Sequence, residues 1–143
     1  LIDLKRCIKL NSIILMSHGN MAEEVLNSAK MIIGDSIDYP TVNMKQDDGI
    51  EGTIEKLKKA LEVYKESSEI IIMADLLGGT PCNAALLVAN NDSRIKIISG
   101  LNLGMVIESA FLDTKELAAK LEKIGKDNIS MVEQNASLLS DDE

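Results

Sequence analysis

The side chains best suited to chemistry in this sequence follow two apolar segments. His18, the only histidine among the 143 residues, comes after the first segment, and Asp75 ends the second. A carboxylate that accepts a hydrogen bond from one imidazole N–H fixes the tautomer of the ring and stabilises its cation. The other ring nitrogen then keeps its lone pair and can act as a nucleophile. The two residues are therefore a candidate nucleophilic site.

The residues around this pair are suited to bind an anion. Gly78 and Gly79 allow a close approach of the backbone, and Thr80 adds a hydroxyl group. Helices are predicted to begin after Asn20 and after Thr80, and unpaired N–H groups at helix N-termini favour phosphate. Together these features describe a histidine that carries a phosphoryl group, although the spacing is not that of a P-loop.

Each feature also has a purely structural interpretation. A histidine at a strand end is often a polar loop residue, and an aspartate there often accepts hydrogen bonds from loop N–H groups. The Gly-Gly-Thr-Pro segment fits the start of a helix. One histidine gives no metal cluster, so neither a metal nor a cofactor is predicted. Cys7 and Cys82 fit neither a disulfide framework nor a zinc site, which favours the reducing cytoplasm.

Strand-like and helix-like segments alternate along the chain. The predicted strands are residues 12–17, 39–45, 69–75 and 94–99. The predicted helices are residues 21–34, 50–65, 80–90, 104–112 and 114–124. Asn20 and Glu23 form the expected capping box of the first helix, and Thr80 is the expected N-cap of the third. This alternation predicts one α/β domain, a doubly wound parallel sheet with helices on both faces.

The order of the strands decides whether His18 meets Asp75. Parallel sheets bind ligands beyond the carboxyl ends of their strands, where the strand order reverses. In the order 2-1-3-4 the first and third strands are neighbours, and the two side chains face each other there. The domain is expected to span residues 12–135. Residues 1–11 are interpreted as an N-terminal extension, disordered or not native to the protein, and residues 136–143 as an acidic tail.

The negative net charge of the chain makes some classes of binding partner unfavourable. The net charge of −8 argues against nucleic acid, whose binding needs lysine and arginine, and against an anionic membrane surface. No apolar run is long enough to span a bilayer, so no membrane insertion is predicted.

Three segments resemble the IIA component of the mannose (mannose/fructose/sorbose) family of the bacterial sugar phosphotransferase system, the PTS. They are ILMSHGNMAE at 14–23, ADLLGGTPCNAA at 74–85 and SGLNLGM at 99–105, and the resemblance covers residues 11–132. It implies a cytoplasmic phosphotransferase with a phosphohistidine intermediate. His18 would take phosphate from the protein HPr and pass it to a IIB component, coupled to the membrane components IIC and IID. Asp75 would orient His18.

The resemblance and the expected mechanism add further site residues. The predicted phosphate-binding groups belong to Gly19, Gly78, Gly79 and Thr80. An apolar partner surface with an acidic rim is predicted at Met21, Leu76, Leu77, Leu103 and Met105.

The family fold adds an antiparallel strand that two subunits of a dimer exchange. Residues 128–133 alternate with period two and are the candidate for that strand. Gly104 stands where the family usually has proline, which predicts a looser loop. Because no IIB domain follows the acidic tail, a stand-alone IIA component is expected.

Other functions fit these residues less well. A histidine phosphatase or mutase needs an arginine before His-Gly, where this sequence has Ser17. A receiver-like domain phosphorylated at Asp75 needs an acidic cluster for Mg²⁺ at the end of the first strand. Two alternatives stay open, a phosphocarrier subunit for a dihydroxyacetone kinase and a regulatory IIA-like domain.

Overall fold

The computed structural model describes residues 11–134, so most of the predicted extension and all of the predicted tail lie outside the described residues. The strands are β1 Ile13–His18, β2 Thr41–Met44, β3 Ile70–Ala74 and β4 Ile95–Ser99. The helices are α1 Met21–Ile33, α2 Gly49–Leu61, α3 Thr80–Ala89, α4 Leu103–Ser109 and α5 Leu117–Asp127, with a 3₁₀ turn Glu62–Tyr64 after α2. These elements occupy the predicted segments, with ends that differ by a few residues.

The sheet is parallel and has the predicted order β2-β1-β3-β4. Strand β1 lies between β2 and β3, and Met16 is in register with Val42 on one side and Ala74 on the other. The order reverses between β1 and β3. The residues that follow these two strands therefore meet at one edge of the sheet.

Alternate residues of the central strands face two separate core layers. Ile13 and Leu15 pack with α1, α4 and α5, whereas Ile14 and Met16 pack with α2 and α3. All four side chains are completely buried. Burial of each such side chain stabilises the fold by roughly 1.5–3 kcal/mol. The ends of β1 and β3 are thus held by a rigid aliphatic core.

The N-terminus of α1 is capped by residues that the sequence did not indicate. Asn20 occupies the N-cap position, but its side chain makes no capping hydrogen bond in the described part of the chain. Ser17 Oγ instead accepts from the N–H of Ala22 at 2.7 Å, and Asn43 Oδ1 accepts from the N–H of Glu23 at 3.3 Å. The predicted capping box is wrong, because Ser17, buried near the end of β1, reaches the helix from inside the fold.

We expect Ser17→Ala to lower the free energy of unfolding by about 1–2 kcal/mol, because a buried N–H loses its acceptor. Asn20→Ala should change it by less than about 0.5 kcal/mol, as for most surface substitutions. Urea unfolding followed by circular dichroism measures both. Equal losses in the two variants would contradict the assignment of Ser17 as the cap.

Helix α3 also begins differently from the prediction. Gly79 occupies the N-cap position with φ −77°, and Thr80 is the first helical residue, followed by Pro81. The prediction of Thr80 as the N-cap is therefore wrong by one residue. The tight turn before α3 places glycine at the cap, where its lack of a side chain matters for the site.

The loop before α4 is tied to the end of α5. Asn102 Oδ1 accepts from the N–H of Met105 at 3.0 Å, and Asn102 Nδ2 donates to the carbonyl of Gly125 at 3.0 Å. The side chain of Asn128 lies directly against Gly104 and leaves no room for a Cβ atom there. A Cβ atom at position 104 would thus require the Asn128 side chain to move, and the predicted looseness of this loop remains a prediction.

Residues 128–133 form no strand within the described chain. Helix α5 ends just before them, and Ile129, Met131 and Val132 are 82%, 91% and 75% exposed. An exchanged strand would pair with a second subunit, so this expectation remains a prediction.

Candidate functional site

His18 and Asp75 lie together at the carboxyl edge of the sheet. Asp75 Oδ2 is 2.8 Å from His18 Nδ1 and also accepts the backbone N–H of His18 at 2.9 Å. One carboxylate oxygen therefore positions both the ring and the backbone of the histidine. The side chain of His18 is 44% exposed and that of Asp75 only 10%. The imidazole can meet a partner, whereas the carboxylate behind it is shielded from solvent.

This geometry determines which ring nitrogen is free. An ionised carboxylate only accepts hydrogen bonds, so the neutral imidazole of His18 carries its proton on Nδ1 and keeps the lone pair on Nε2. The other oxygen of Asp75, Oδ1, is buried and has no hydrogen-bond partner among residues 11–134. A buried acceptor without a hydrogen-bond partner lowers the stability of the fold. Such atoms are rare in native proteins and often belong to functional sites. Within residues 11–134, the hydrogen bonds to the Asp75 carboxylate both come from His18, from its backbone N–H and from Nδ1.

Gly79 packs against the ring of His18. A Cβ atom at position 79 would lie 2.7 Å from His18 Cε1 and 3.4 Å from His18 Nε2. The N–H of Gly79 donates to the carbonyl of Leu76 at 3.1 Å, which closes a turn. Gly78 is the third residue of that turn with φ 84°, as a type II turn requires. The turn brings the N-terminus of α3 to the Nε2 side of the imidazole.

The two helix N-termini near the site differ in their ability to bind an anion. The first-turn N–H groups of α1 are engaged by Ser17 and Asn43. No side chain within residues 11–134 caps α3, and its Pro81 has no N–H. Thr80 is half-buried at the start of that helix. Of the two predicted anion sites, the N-terminus of α3 is the one left available.

Gly19 does not have the role that the sequence suggested. It follows His18 with φ 58°, a conformation that favours glycine. Its N–H donates to the carbonyl of Met44 at 2.8 Å and so continues the pairing between β1 and β2. This N–H is occupied, as is that of Gly79, so neither glycine presents a free N–H for the predicted binding of phosphate. Gly19 instead lets the chain turn sharply from β1 into α1.

The predicted partner surface is only partly exposed. Met21, Leu76 and Leu77 are 45%, 59% and 75% exposed near the carboxyl edge of the sheet where His18 and Asp75 lie. Leu103 is half-buried and packs against the core, and Met105 is 1% exposed. Including Met105 in this surface is wrong, because its side chain packs against α5 beneath the loop.

Lys45 borders the site and was not singled out from the sequence. Met44, the last residue of β2, is in register with His18, so Lys45 emerges at the same edge. Its Nζ donates to Asn20 Oδ1, two residues beyond His18. Lys45 could have been found from the predicted strand order, because that order places the end of β2 beside the end of β1.

None of the helices within residues 11–134 has the length and apolar character needed to cross a bilayer.

The sequence is similar to those of known PTS components that contain a IIA unit. The family described as "PTS system fructose IIA component" matches residues 12–125. The fructose-specific EIIA component of Bacillus subtilis (strain 168) is 32% identical over 97 residues, which are 68% of this chain and 66% of that protein. The mannose-specific EIIAB component of Escherichia coli (strain K12) is 26% identical over 98 residues, which are 68% of this chain and 30% of that protein. The chain thus spans just under two thirds of the first relative and less than a third of the second.

A solved structure shares the fold. The mannose/sorbose specific IIA subunit of the phosphotransferase system from Enterococcus faecalis is 38% identical, covers 89% of this chain and 98% of its own, and superposes with a TM-score of 0.83. The range matched by the family contains His18, Asp75 and all of α3. The chain belongs to the family of PTS IIA components of the mannose, fructose and sorbose type.

Proposed function

We propose that this protein is a phosphohistidine carrier of the phosphoenolpyruvate-dependent sugar PTS and acts in the cytoplasm. His18 accepts a phosphoryl group from phospho-HPr and donates it to a IIB component coupled to sugar uptake through IIC and IID. The observation that carries the proposal is the 2.8 Å contact between Asp75 Oδ2 and His18 Nδ1, which leaves Nε2 as the nucleophile. Membership of the IIA family supports the PTS context.

The transfer is an in-line displacement between two imidazoles. The lone pair of His18 Nε2 forms a bond to phosphorus while the bond from phosphorus to the donor nitrogen breaks, and that electron pair returns to the donor ring. The His18 ring keeps its Nδ1 proton and gains positive charge, which the adjacent carboxylate of Asp75 stabilises. Transfer to the acceptor is the same displacement with the roles reversed. Such catalysis depends mainly on positioning and on charge stabilisation.

The surroundings of Nε2 suit a phosphoryl group. The uncapped N-terminus of α3 offers N–H groups to the phosphoryl oxygens, and the helix dipole favours their negative charge. Gly79 leaves the space beside Nε2 open because it has no Cβ atom. Asp75 lies on the opposite side of the ring, away from the incoming anion.

The rim of the site suits a transient protein partner. Met21, Leu76 and Leu77 expose apolar side chains next to His18. The net charge of −8 attracts a basic partner such as HPr and raises the rate of encounter at low salt. Modest interfaces of this kind suit carriers that must release one partner before they meet the next.

Phosphorylation in a reconstituted system tests this function. With phosphoenolpyruvate, Enzyme I and HPr, the wild type should acquire label that is stable to base and labile to acid, and His18→Ala should acquire none. Circular dichroism of His18→Ala serves as the folding control. Label that remains in folded His18→Ala, or base-labile label of the kind that an aspartyl phosphate gives, would contradict the carrier assignment.

We propose that two subunits exchange their C-terminal segments. Strand β4 is at an edge of the sheet, and a groove of about 780 Å³ lies between β4 and α5. The exposed Ile129, Met131 and Val132 supply apolar side chains for the corresponding groove of a second subunit. Pairing with the unpaired edge of β4 would satisfy its backbone groups and bury these side chains.

Truncation tests the exchange. Removal of residues 129–143 should convert a dimer into a monomer in sedimentation equilibrium, because the exchanged side chains are lost. Removal of residues 136–143 alone should leave the dimer intact and is the matched control. If the chain of residues 1–143 is monomeric at 100 micromolar, on the order of the concentration at which weak dimers form, the exchange is contradicted.

A further inference from the structure

Lys45 places a positive charge at the same edge of the sheet as the proposed phosphorylation site. The side chain is exposed, and its Nζ donates to Asn20 Oδ1 at the start of α1. The backbone of Lys45 is held in place, because its N–H donates to Asp48 Oδ2 at 2.7 Å. The ammonium group is therefore attached to a fixed backbone at the carboxyl edge of the sheet, on the β2 side of His18.

Lys56 forms an ion pair with Asp48, whereas Lys45 forms none in the part of the chain that the structure describes. Lys56 Nζ lies 2.6 Å from Asp48 Oδ2 and also donates to the carbonyl of Asn43. Within residues 11–134, no carboxylate oxygen lies within 4.0 Å of Lys45 Nζ, whose recorded partner is the neutral amide of Asn20. The hydrogen bond from Lys56 and, to a lesser extent, the charge of Lys45 lower the pKa of Asp48. On a chain with a net charge of −8, the ammonium group of Lys45 nevertheless makes no ion pair within residues 11–134.

We propose that Lys45 binds the phosphoryl group of phosphorylated His18, and that its ammonium group moves from Asn20 Oδ1 to the phosphoryl oxygens when the phosphoryl group arrives. This inference rests on the proposed function. A phosphoryl group brings nearly two negative charges, whereas the amide oxygen of Asn20 offers only a dipole. The flexible four-carbon stem of lysine allows the exchange without movement of the backbone.

Lys45 would also shift the equilibrium of the phosphoryl group between HPr, its donor, and His18, its acceptor. A cation that contacts only the phosphorylated form favours that form by its differential interaction. Lys45 therefore favours loading of His18 over return of the phosphoryl group to HPr. Asn20 holds the ammonium group near the site in the unphosphorylated protein, so that little side-chain ordering is needed when the phosphoryl group arrives.

The ionisation of the phosphoryl group gives the sharpest test. Protein phosphorylated chemically with phosphoramidate is titrated by ³¹P NMR, which requires neither HPr nor a IIB component. In the wild type, the ammonium group of Lys45 favours the phosphoryl dianion. Lys45→Gln should therefore raise the pKa of the phosphoryl group by about half a unit, a threefold change in proton affinity. Lys45→Arg should restore the wild-type curve, because it restores the cation.

Lys59→Gln is the matched control, because it removes one positive charge from the exposed face of α2. Its titration curve should match that of the wild type. Coincident curves for Lys45→Gln and Lys59→Gln would overturn the role of Lys45, as would a curve for Lys45→Arg that stays with Lys45→Gln. Failure of phospho-HPr to label the wild type would instead count against the proposed function, and the two failures are therefore distinguishable.

Discussion

Asp75→Asn should slow phosphoryl transfer to and from His18 by about 10²–10⁴-fold, the upper figure being that for the same change behind the catalytic imidazole of a serine protease. The amide can take two orientations. With its oxygen in the place of Oδ2, both hydrogen bonds from His18 remain but the negative charge is lost. With its nitrogen there, an N–H group faces Nδ1 and selects the wrong tautomer. Either orientation weakens the nucleophile.

The fold should tolerate this substitution far better than the transfer does. Asparagine has nearly the same shape, so the free energy of unfolding should change by about 1 kcal/mol. Rapid-quench transfer from labelled phospho-HPr and urea unfolding measure the two effects. Asp38→Asn, which removes a carboxylate that is 81% exposed, is the control and should transfer like the wild type. Equal transfer rates in Asp75→Asn and Asp38→Asn would contradict the role of Asp75.

Gly79→Ala should reduce the transfer rate by about 100-fold, because a misplacement of roughly 1 Å in a reacting group has that effect. A Cβ atom would lie 2.7 Å from His18 Cε1, so the ring must move and its contact with Asp75 must change. The backbone at position 79 has φ −77°, which alanine adopts without strain. The loss of stability should therefore come from the altered His18–Asp75 contact and from the poorer N-cap, and should be about 1–2 kcal/mol.

Gly34→Ala is the matched control for this substitution. Gly34 has φ 93° and open space around its Cα atom, at the far end of α1. Alanine there should lower the free energy of unfolding by about 1–2 kcal/mol through backbone strain, without affecting transfer by the folded protein. The pair of variants separates loss of site geometry from loss of fold. A wild-type rate of phosphoryl transfer in Gly79→Ala would contradict the claim that transfer requires the His18 imidazole in its present position.

The fold follows from the sequence because its main signals are long apolar segments. Strands β1 and β3 are buried on both faces, so each reads as an uninterrupted apolar run. The helices between them show apolar stripes, and alternation of the two types favours a parallel sheet. The strand order then brings His18 to Asp75, since both are the residues at the ends of neighbouring strands.

The finer features depended on contacts that local sequence does not specify. Asn20 and Ser17 are equally acceptable as cap residues, and only the packing of β1 under α1 selects Ser17. Met105 is an apolar residue near a strand end, and the capping of α4 by Asn102 turns it into the core. The close approach of Gly79 to the His18 ring likewise arises only when the turn before α3 folds against β1.

The ring nitrogen that carries the phosphoryl group tests the central claim most directly. His18 is the only histidine of the chain, so ¹⁵N-histidine labelling gives NMR signals from a single imidazole. Protein phosphorylated by HPr should show the phosphoryl group on Nε2 and the proton on Nδ1, facing Asp75. A phosphoryl group on Nδ1, or an unmodified imidazole in protein that carries the label elsewhere, would contradict the mechanism.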